Sequence, residues 1–143
     1  MDARVTRMRL DPDAGERFLS VRRPLGIESF GFNQMVLEPG QRGRIHRHQR
    51  QEEVYVVLEG TLSLAVEGEE LDLTAGEIVR VPAEVRRQLI NRGPGRVVLL
   101  ALGGEGEHPG RDGEAFPSWD ATECMTPQEL PLPEDLPASE RRR

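Results

Sequence analysis

The sequence predicts an all-β fold of short antiparallel strands, either a sandwich or a barrel. Short apolar segments follow one another up to residue 102, and glycine and proline interrupt them at close intervals. No stretch before Gly103 has the period of an amphipathic helix. In the segment Thr61–Glu67, strict alternation places Leu62, Leu64 and Val66 on one face of a strand. Strands this short, with turns this frequent, are typical of sandwiches and barrels and not of alternating β and α units.

The turn residues divide the chain into candidate strands. Prolines and glycines separate them, as in the segment Arg92–Gly95. In chain order, the candidate strands are residues 4–10, 17–21, 28–37, 44–48, 53–58, 61–66, 70–73, 78–81, 85–90 and 96–102. After them, Thr126 followed by Pro127 and Glu129 has the pattern of a helix start. Two prolines end this helix within about a turn.

Composition and charge exclude several classes of protein. The chain has 143 residues, enough for one domain, with 19 basic residues, all arginine, against 25 acidic residues and a net charge of −6. An acidic chain with 4% aromatic residues lacks the basic surface and stacking platforms of a nucleic-acid-binding protein. Its one cysteine, Cys124, excludes a disulfide framework. No apolar run has membrane-span length and no apolar leader is visible, so we expect a cytoplasmic protein without nucleic-acid or membrane partners.

His46 and His48 form the most informative pair of residues in the sequence. On a strand, residues two apart leave the same face about 6–7 Å apart. Two imidazoles at that separation can converge on one metal ion, and an acidic residue on the next strand would complete a His-His-carboxylate triad. Such a triad suits iron, manganese and related divalent metals. The alternative is two surface histidines in a polar strand.

The spacing around these histidines resembles the two sequence motifs of the cupin family. The first motif, Gly-x5-His-x-His, three or four residues, then Glu-x6-Gly, is matched at Gly40, His46, His48, Glu53 and Gly60. The second, Gly-x5-Pro-x-Gly-x2-His-x3-Asn, is matched at Gly76, Pro82 and Asn91, with Glu84 and Arg87 in place of its Gly and His.

The resemblance, which covers about residues 28–102, implies a fold and a metal site. The fold is a double-stranded β-helix, the cupin or jelly-roll barrel, with a short C-terminal extension. Residues 1–27 would supply strands that pack on the barrel, residues 28–103 the barrel, and residues 104–143 a Gly/Pro-rich extension whose charged tail is expected to be disordered. The implied ligands are His46, His48 and Glu53, holding a divalent transition metal such as iron, manganese, nickel, copper or zinc.

One departure from the second motif falls on a ligand position. The resemblance implies a fourth ligand where this chain has Arg87, and an arginine, always protonated, cannot bind a metal. A guanidinium about 4 Å from a divalent ion is repelled by roughly 8 kcal/mol at an effective dielectric of ~20. Three arrangements are open. Arg87 pairs with Glu53, or turns away and leaves the three ligands free, or binds a substrate carboxylate beside the metal.

Three further residues are candidates for the site. Tyr55 is two residues after Glu53, so it lies on the same inward face of the strand. It either lines the pocket or belongs to the barrel wall. Gln34 lies on the same face of a strand as two phenylalanines, and this face either shapes the cavity or packs between subunits. His108, in the glycine-rich loop after the barrel, either replaces the missing ligand or is solvated. The predicted substrate-binding residues are therefore Arg87, Tyr55 and Gln34.

Two functions from different classes remain. In the first, a divalent metal at the barrel mouth acts on or binds a small anionic organic molecule, which Arg87 orients, with oxygenation or isomerisation as the reaction class. In the second, a metal-free binding or sensing domain holds a small ligand, Arg87 neutralises Glu53, and no catalysis occurs. Whether the protein is an enzyme stays open. In either case we expect a homodimer that pairs through the outer sheet, including residues 28–37.

Overall fold

A computed structural model of the protein describes residues 1–104 and 112–143. In these ranges the chain forms ten strands, one four-residue α-helix, α1 (Arg22–Leu25), and two 3-10 helices. The strands are β1 (Phe18–Ser20), β2 (Gly31–Leu37), β3 (Ile45–His48), β4 (Glu52–Glu59), β5 (Thr61–Val66), β6 (Glu69–Thr74), β7 (Ile78–Val81), β8 (Arg87–Ile90), β9 (Val97–Gly104) and β10 (Gly113–Phe116). The 3-10 helices are Pro127–Glu129 and Ala138–Glu140. No helix in the described ranges has the length and hydropathy of a membrane span.

The strands form two five-stranded antiparallel sheets, which confirms the predicted all-β jelly-roll barrel. One sheet has the order β1-β2-β9-β4-β7 and the other β10-β3-β8-β5-β6. The main core lies between them and includes Leu62 and Leu64 of β5, both fully buried, with Val66 packed against it. The alternation in the sequence therefore correctly predicts which side chains of β5 face the core.

Three elements differ from the strands expected from the sequence. Residues 4–10 form no strand, because no neighbouring strand pairs with them and a lone strand leaves its backbone groups to water. Residues Arg22–Leu25 form α1, a single turn too short to show a helical period. Residues Gly113–Phe116 form β10, which pairs with β3 and adds an edge to the second sheet.

In the structure the C-terminal tail lies against the barrel, whereas its composition predicts disorder. Nε of Arg44 donates to the carbonyl oxygen of Leu130 at 2.7 Å, and the amide of Leu136 donates to the carbonyl oxygen of Gly40 at 2.8 Å. The side chain of Leu136 is 3% exposed and packs in a second apolar cluster with Ala65, Ile90 and Trp119. These long-range contacts offset the chain entropy that the tail's composition alone would favour.

Candidate metal centre

The candidate site lies between the two sheets, at the end of the barrel where β3 turns into β4. His46 and His48 come from β3, Glu53 and Tyr55 from β4 in the facing sheet, and Arg87 from the start of β8. His46 and Arg87 are directly opposite in the β3–β8 ladder. Because β4 faces this ladder across the barrel, its inward residues reach the two histidines.

Three side chains place potential ligand atoms within 4.8 Å of one another: His46, His48 and Glu53. Nε2 of His48 lies 3.0 Å from Oε1 of Glu53, and Nε2 of His46 lies 3.3 Å from the same oxygen. The two imidazoles meet edge to face, with ring centroids 5.3 Å apart. The structure therefore brings the two histidines and Glu53 together at one point.

Hydrogen bonds on the far side of each ring decide which nitrogen faces that point. Nδ1 of His46 is 3.1 Å from the carbonyl oxygen of Arg44, and Nδ1 of His48 is 2.8 Å from Oδ1 of Asp112. Both partners only accept, so each Nδ1 carries the proton and each Nε2 of a neutral ring presents a lone pair.

The centre of the cluster therefore favours a positively charged group. Nε2 of His48 is buried and has no hydrogen-bond partner in the described part of the chain, although Oε1 of Glu53 is 3.0 Å away in a poor geometry for such a bond. With neutral rings protonated at Nδ1, two imidazole lone pairs would face the carboxylate oxygen, from which Nε2 of His46 is also at hydrogen-bonding distance, 3.3 Å. A bound cation satisfies all three atoms, and protonation of the rings satisfies them in part.

Charges within the cluster shift its pKa values. Burial opposes ionisation of Glu53, but the imidazoles of His46 and His48 outweigh burial and hold the pKa of Glu53 well below its ordinary value. Burial also opposes protonation of His48, and here Glu53 and Asp112 outweigh it and raise the pKa of His48. Burial and the Glu53 charge raise the pKa of Tyr55 well above its ordinary value. Glu53 is therefore an anion and Tyr55 a neutral donor at neutral pH.

Arg87 is fully buried, and protein acceptors occupy its donors. Nη2 donates to Oε1 of Glu53 at 3.0 Å, and Nε donates to the hydroxyl of Tyr55 at 3.3 Å. Nη1 donates to the carbonyl oxygens of Ala83 and Val85 at 3.2 and 2.6 Å. Of the three arrangements left open by the sequence, the structure shows the pair with Glu53. Arg87 does not line the mouth cavity, so its contact with a substrate stays a prediction.

Tyr55 and Gln34 also lie away from the cavity wall, and their contacts with a substrate stay predictions. Tyr55 is 1% exposed, and its hydroxyl donates to Oε1 of Glu53 at 2.7 Å. Gln34 is fully buried, and its amide donates to the carbonyl oxygen of Asp11 at 2.9 Å. Met35, the next residue, belongs to the core between the sheets, so alternation places Gln34 on the outer face of β2.

Asp112 is a site residue that the sequence analysis missed. Oδ1 holds Nδ1 of His48, and Oδ2 accepts the amides of Arg50 and Gln51, each at 2.9 Å. These bonds outweigh burial and lower the pKa of Asp112. Asp112 lies directly before β10, the strand that pairs with β3. Because this pairing joins distant parts of the sequence, the sequence alone does not reveal that Asp112 lies beside His48. His108, the predicted replacement ligand, lies outside the described residues.

A cavity of about 530 Å³ opens beside the cluster. Its volume is within the range of roughly 300–1,000 Å³ that small-molecule sites occupy. His48 and Glu53 form part of its wall, and the other polar residues there are Ser20, Arg22, Arg23, Asn33, Gln51, Asp112, Thr126 and Gln128. The candidate metal centre is therefore accessible to a small polar molecule.

Fold and site together define a jelly-roll barrel with a candidate metal centre beside a small-molecule cavity. Comparison with protein families gives a match to the cupin domain over residues 33–103. The chain therefore belongs to the cupin family, as its motifs predict, and carries a small type-2 cupin domain. Comparison with curated proteins gives no significant match.

Solved structures with this architecture include three cupins that share the barrel. One, a sugar phosphate isomerase of the cupin superfamily from Silicibacter pomeroyi, is 25% identical with a TM-score of 0.63, covering 80% of this chain and 83% of that one. A cupin protein from Bacteroides fragilis is 20% identical with a TM-score of 0.63, covering 85% and 98%. A cupin 2 conserved barrel domain protein from Salinispora arenicola is 22% identical with a TM-score of 0.57, covering 68% and 82%.

Proposed function

We propose that this protein binds a divalent transition metal through His46, His48 and Glu53 and acts on a small anionic organic molecule in the adjacent cavity. The observation that carries the proposal is the buried Nε2 of His48, which has a protonated Nδ1 on its far side and no hydrogen-bond partner in the described ranges. Imidazole and carboxylate ligands suit iron, manganese, nickel, copper and zinc. The carboxylates of Glu53 and Asp112 offset the charges of Arg87 and of the ion.

Each protein group at the centre has a distinct task in this proposal. A bound divalent ion would supply Lewis-acid polarisation of a substrate oxygen. Asp112 orients the ring of His48, and Arg87 and Tyr55 hold the carboxylate of Glu53 in place. The 25% identity with a structure named a sugar phosphate isomerase supports isomerisation as the reaction class.

A second function is favoured by one observation, the buried ion pair between Arg87 and Glu53. A guanidinium 3.0 Å from Oε1 of Glu53 can neutralise this carboxylate in place of a metal. In that alternative the domain is metal-free, and the cavity holds a small ligand without chemistry. The same experiment separates the two functions.

The test is elemental analysis of tag-free protein, run beside variants of the site. We expect near-stoichiometric metal in the wild type and none in the double variant His46→Ala/His48→Ala. Arg50→Ala is the matched control, because this exposed side chain lies in the same turn and contributes only its backbone amide to the Asp112 network. Arg50→Ala should keep its metal.

The opposite result has a defined meaning. A wild type without metal that binds it only as Arg87→His contradicts the metal proposal and supports the metal-free binding domain. A wild type that keeps its metal after loss of both histidines also contradicts the assigned ligands, since the ion would then be bound elsewhere.

A further inference from the structure

Two adjacent arginines line the cavity that contains the metal centre. Arg22 and Arg23 belong to α1, and the same cavity wall includes His48 and Glu53. The residue before α1, Val21, is 3% exposed, so the short helix is attached to the barrel by a buried side chain. The fold therefore places the backbone of both arginines at the edge of the cavity that they line.

These two arginines have no acidic partner in the described ranges, unlike seven other arginines of the chain. Carboxylates pair with the side chains of Arg4, Arg47, Arg80, Arg87, Arg92, Arg96 and Arg142. The side chains of Arg22 and Arg23 make no hydrogen bond or ion pair in the described ranges, and Nε of Arg22 is buried without an acceptor. A buried donor without an acceptor is unfavourable, and a ligand oxygen would relieve it.

We infer that Arg22 and Arg23 are the anion subsite of the cavity and bind the phosphoryl group of a small phosphate monoester. Two guanidiniums match the charge of a phosphate dianion, and their planar donors suit its oxygens. A carboxylate carries one charge and fits the pair less well. The inference rests on the proposed function, since the other end of the same molecule would reach the centre formed by His48 and Glu53.

Neighbouring side chains of the cavity wall fit the rest of such a molecule. Asn33 of β2 and Gln128 are exposed, line the cavity, and have no side-chain hydrogen bond in residues 1–104 and 112–143. Amides of this kind donate to and accept from hydroxyl groups. The anion would thus fix one end of the ligand, and the amides would contact a hydroxylated carbon chain between the arginines and the metal centre.

Calorimetric titration of the protein as purified with inorganic phosphate, ribose 5-phosphate and ribose tests the subsite. We expect saturable binding of both phosphate probes and none of ribose. Arg22→Gln should weaken both phosphate probes by about 10- to 100-fold, because it removes a charge-assisted contact. Arg7→Gln is the matched control, since Arg7 is exposed, has no side-chain partner in the described ranges, and lies outside this cavity. It should leave binding unchanged.

Several outcomes would overturn the subsite. These are no saturable binding of either phosphate probe, equal binding of ribose and ribose 5-phosphate, or affinities unchanged by Arg22→Gln. The double variant His46→Ala/His48→Ala separates this inference from the metal proposal. If inorganic phosphate still binds this variant and binding still depends on Arg22, the subsite stands whatever the metal content. If phosphate binding is lost with the metal and is indifferent to Arg22, the subsite is refuted while the metal centre stands.

Discussion

Glu53 concentrates the chemistry of the site on one oxygen atom. Its Oε1 accepts hydrogen bonds from Arg87 and Tyr55 and faces Nε2 of both His46 and His48. The side chain of Glu53 is 14% exposed and that of Arg87 is fully buried. A buried ion pair adds little net stability compared with apolar residues of the same shape, but losing one partner leaves an uncompensated charge. Arg87 therefore serves as the counterion that allows a buried carboxylate at this position.

Arg87→Met is expected to lower the free energy of unfolding of chelator-treated protein by about 3–5 kcal/mol, because Glu53 stays buried without its cation. Denaturant titration measures the change. Arg80→Met is the control, since its partner Glu52 is half-exposed and the loss should stay within about 1 kcal/mol. Similar losses in the two variants would contradict the role given to Arg87.

Asp112 acts on the metal centre through His48. Asp112→Asn is expected to weaken metal affinity by about 10- to 100-fold, because a carboxylate that fixes the tautomer and raises the basicity of the ring is replaced by a neutral amide. Competition with a chromophoric chelator gives the affinity. Asp120→Asn, an exposed position, should leave the affinity unchanged. An unchanged affinity in Asp112→Asn would mean that His48 is not a ligand.

At the scale of elements, the motif glycines have backbone roles. Gly60 lies between β4 and β5 at φ 80°, and a Cβ there would be 2.1 Å from the carbonyl oxygen of Arg96. Asn91 donates from its amide to the carbonyl oxygens of Leu37 and Gly95. These residues keep the turns that connect the inward strands, and none of these contacts involves the side chain of Arg87. This explains how the chain keeps the barrel although Arg87 stands at a ligand position.

Arginine side chains of the barrel hold the C-terminal extension in place by donating hydrogen bonds to its backbone. Nε of Arg42 donates to the carbonyl oxygen of Glu134 at 2.9 Å, and Nη1 of Arg92 donates to that of Glu140 at 3.2 Å. A guanidinium has several donors, so one side chain can serve both a carboxylate and a backbone oxygen. Arg92 does so, since it also pairs with Glu70. The backbone of the tail thereby gains hydrogen-bond donors that come from the barrel and not from the tail itself.

Leu136 anchors this extension by burial. Leu136→Ala is expected to lower the free energy of unfolding by about 2–3 kcal/mol, because it removes a buried side chain from the second apolar cluster. Leu132→Ala is the matched control in the same segment, since Leu132 is 36% exposed and should cost less than 1 kcal/mol, about the value for a partly solvated side chain. Thermal or urea unfolding distinguishes them. Equal effects would show that the tail is not docked in solution.

At the scale of the whole molecule, the two sheets leave different surfaces available for association. β2 has β1 on one side and β9 on the other, so its backbone is paired within the chain. The edge strands β6 and β7 instead carry Leu71, 44% exposed, and Ile78, 65% exposed. The homodimer through residues 28–37 stays a prediction, and that segment also carries an exposed apolar side chain, Phe30, which is 37% exposed.

The sequence by itself determined the all-β class and the faces of its strands, because these depend on local spacing, and its resemblance to the cupin motifs supplied the barrel and the central cluster. Alternation along β5 sets its inward face, and two histidines two residues apart on a strand must share a side. In the cupin motif that the chain resembles, the distance from Gly60 selects Glu53 over its neighbour Glu52 as the third member of the cluster. Such features need no knowledge of which strands meet.

Only the tertiary structure decided the rest, because it depends on contacts between residues far apart in the chain. The direction of Arg87 follows from the carboxylate that β4 presents across the barrel, and Asp112 reaches His48 because β10 pairs with β3. The burial of Gln34 on the outer face of β2 follows from the N-terminal segment, whose Asp11 carbonyl oxygen accepts its amide. A guanidinium or a carboxylate can form hydrogen bonds with several different partners. The fold decides which partner is nearby, and burial makes a hydrogen bond with it necessary.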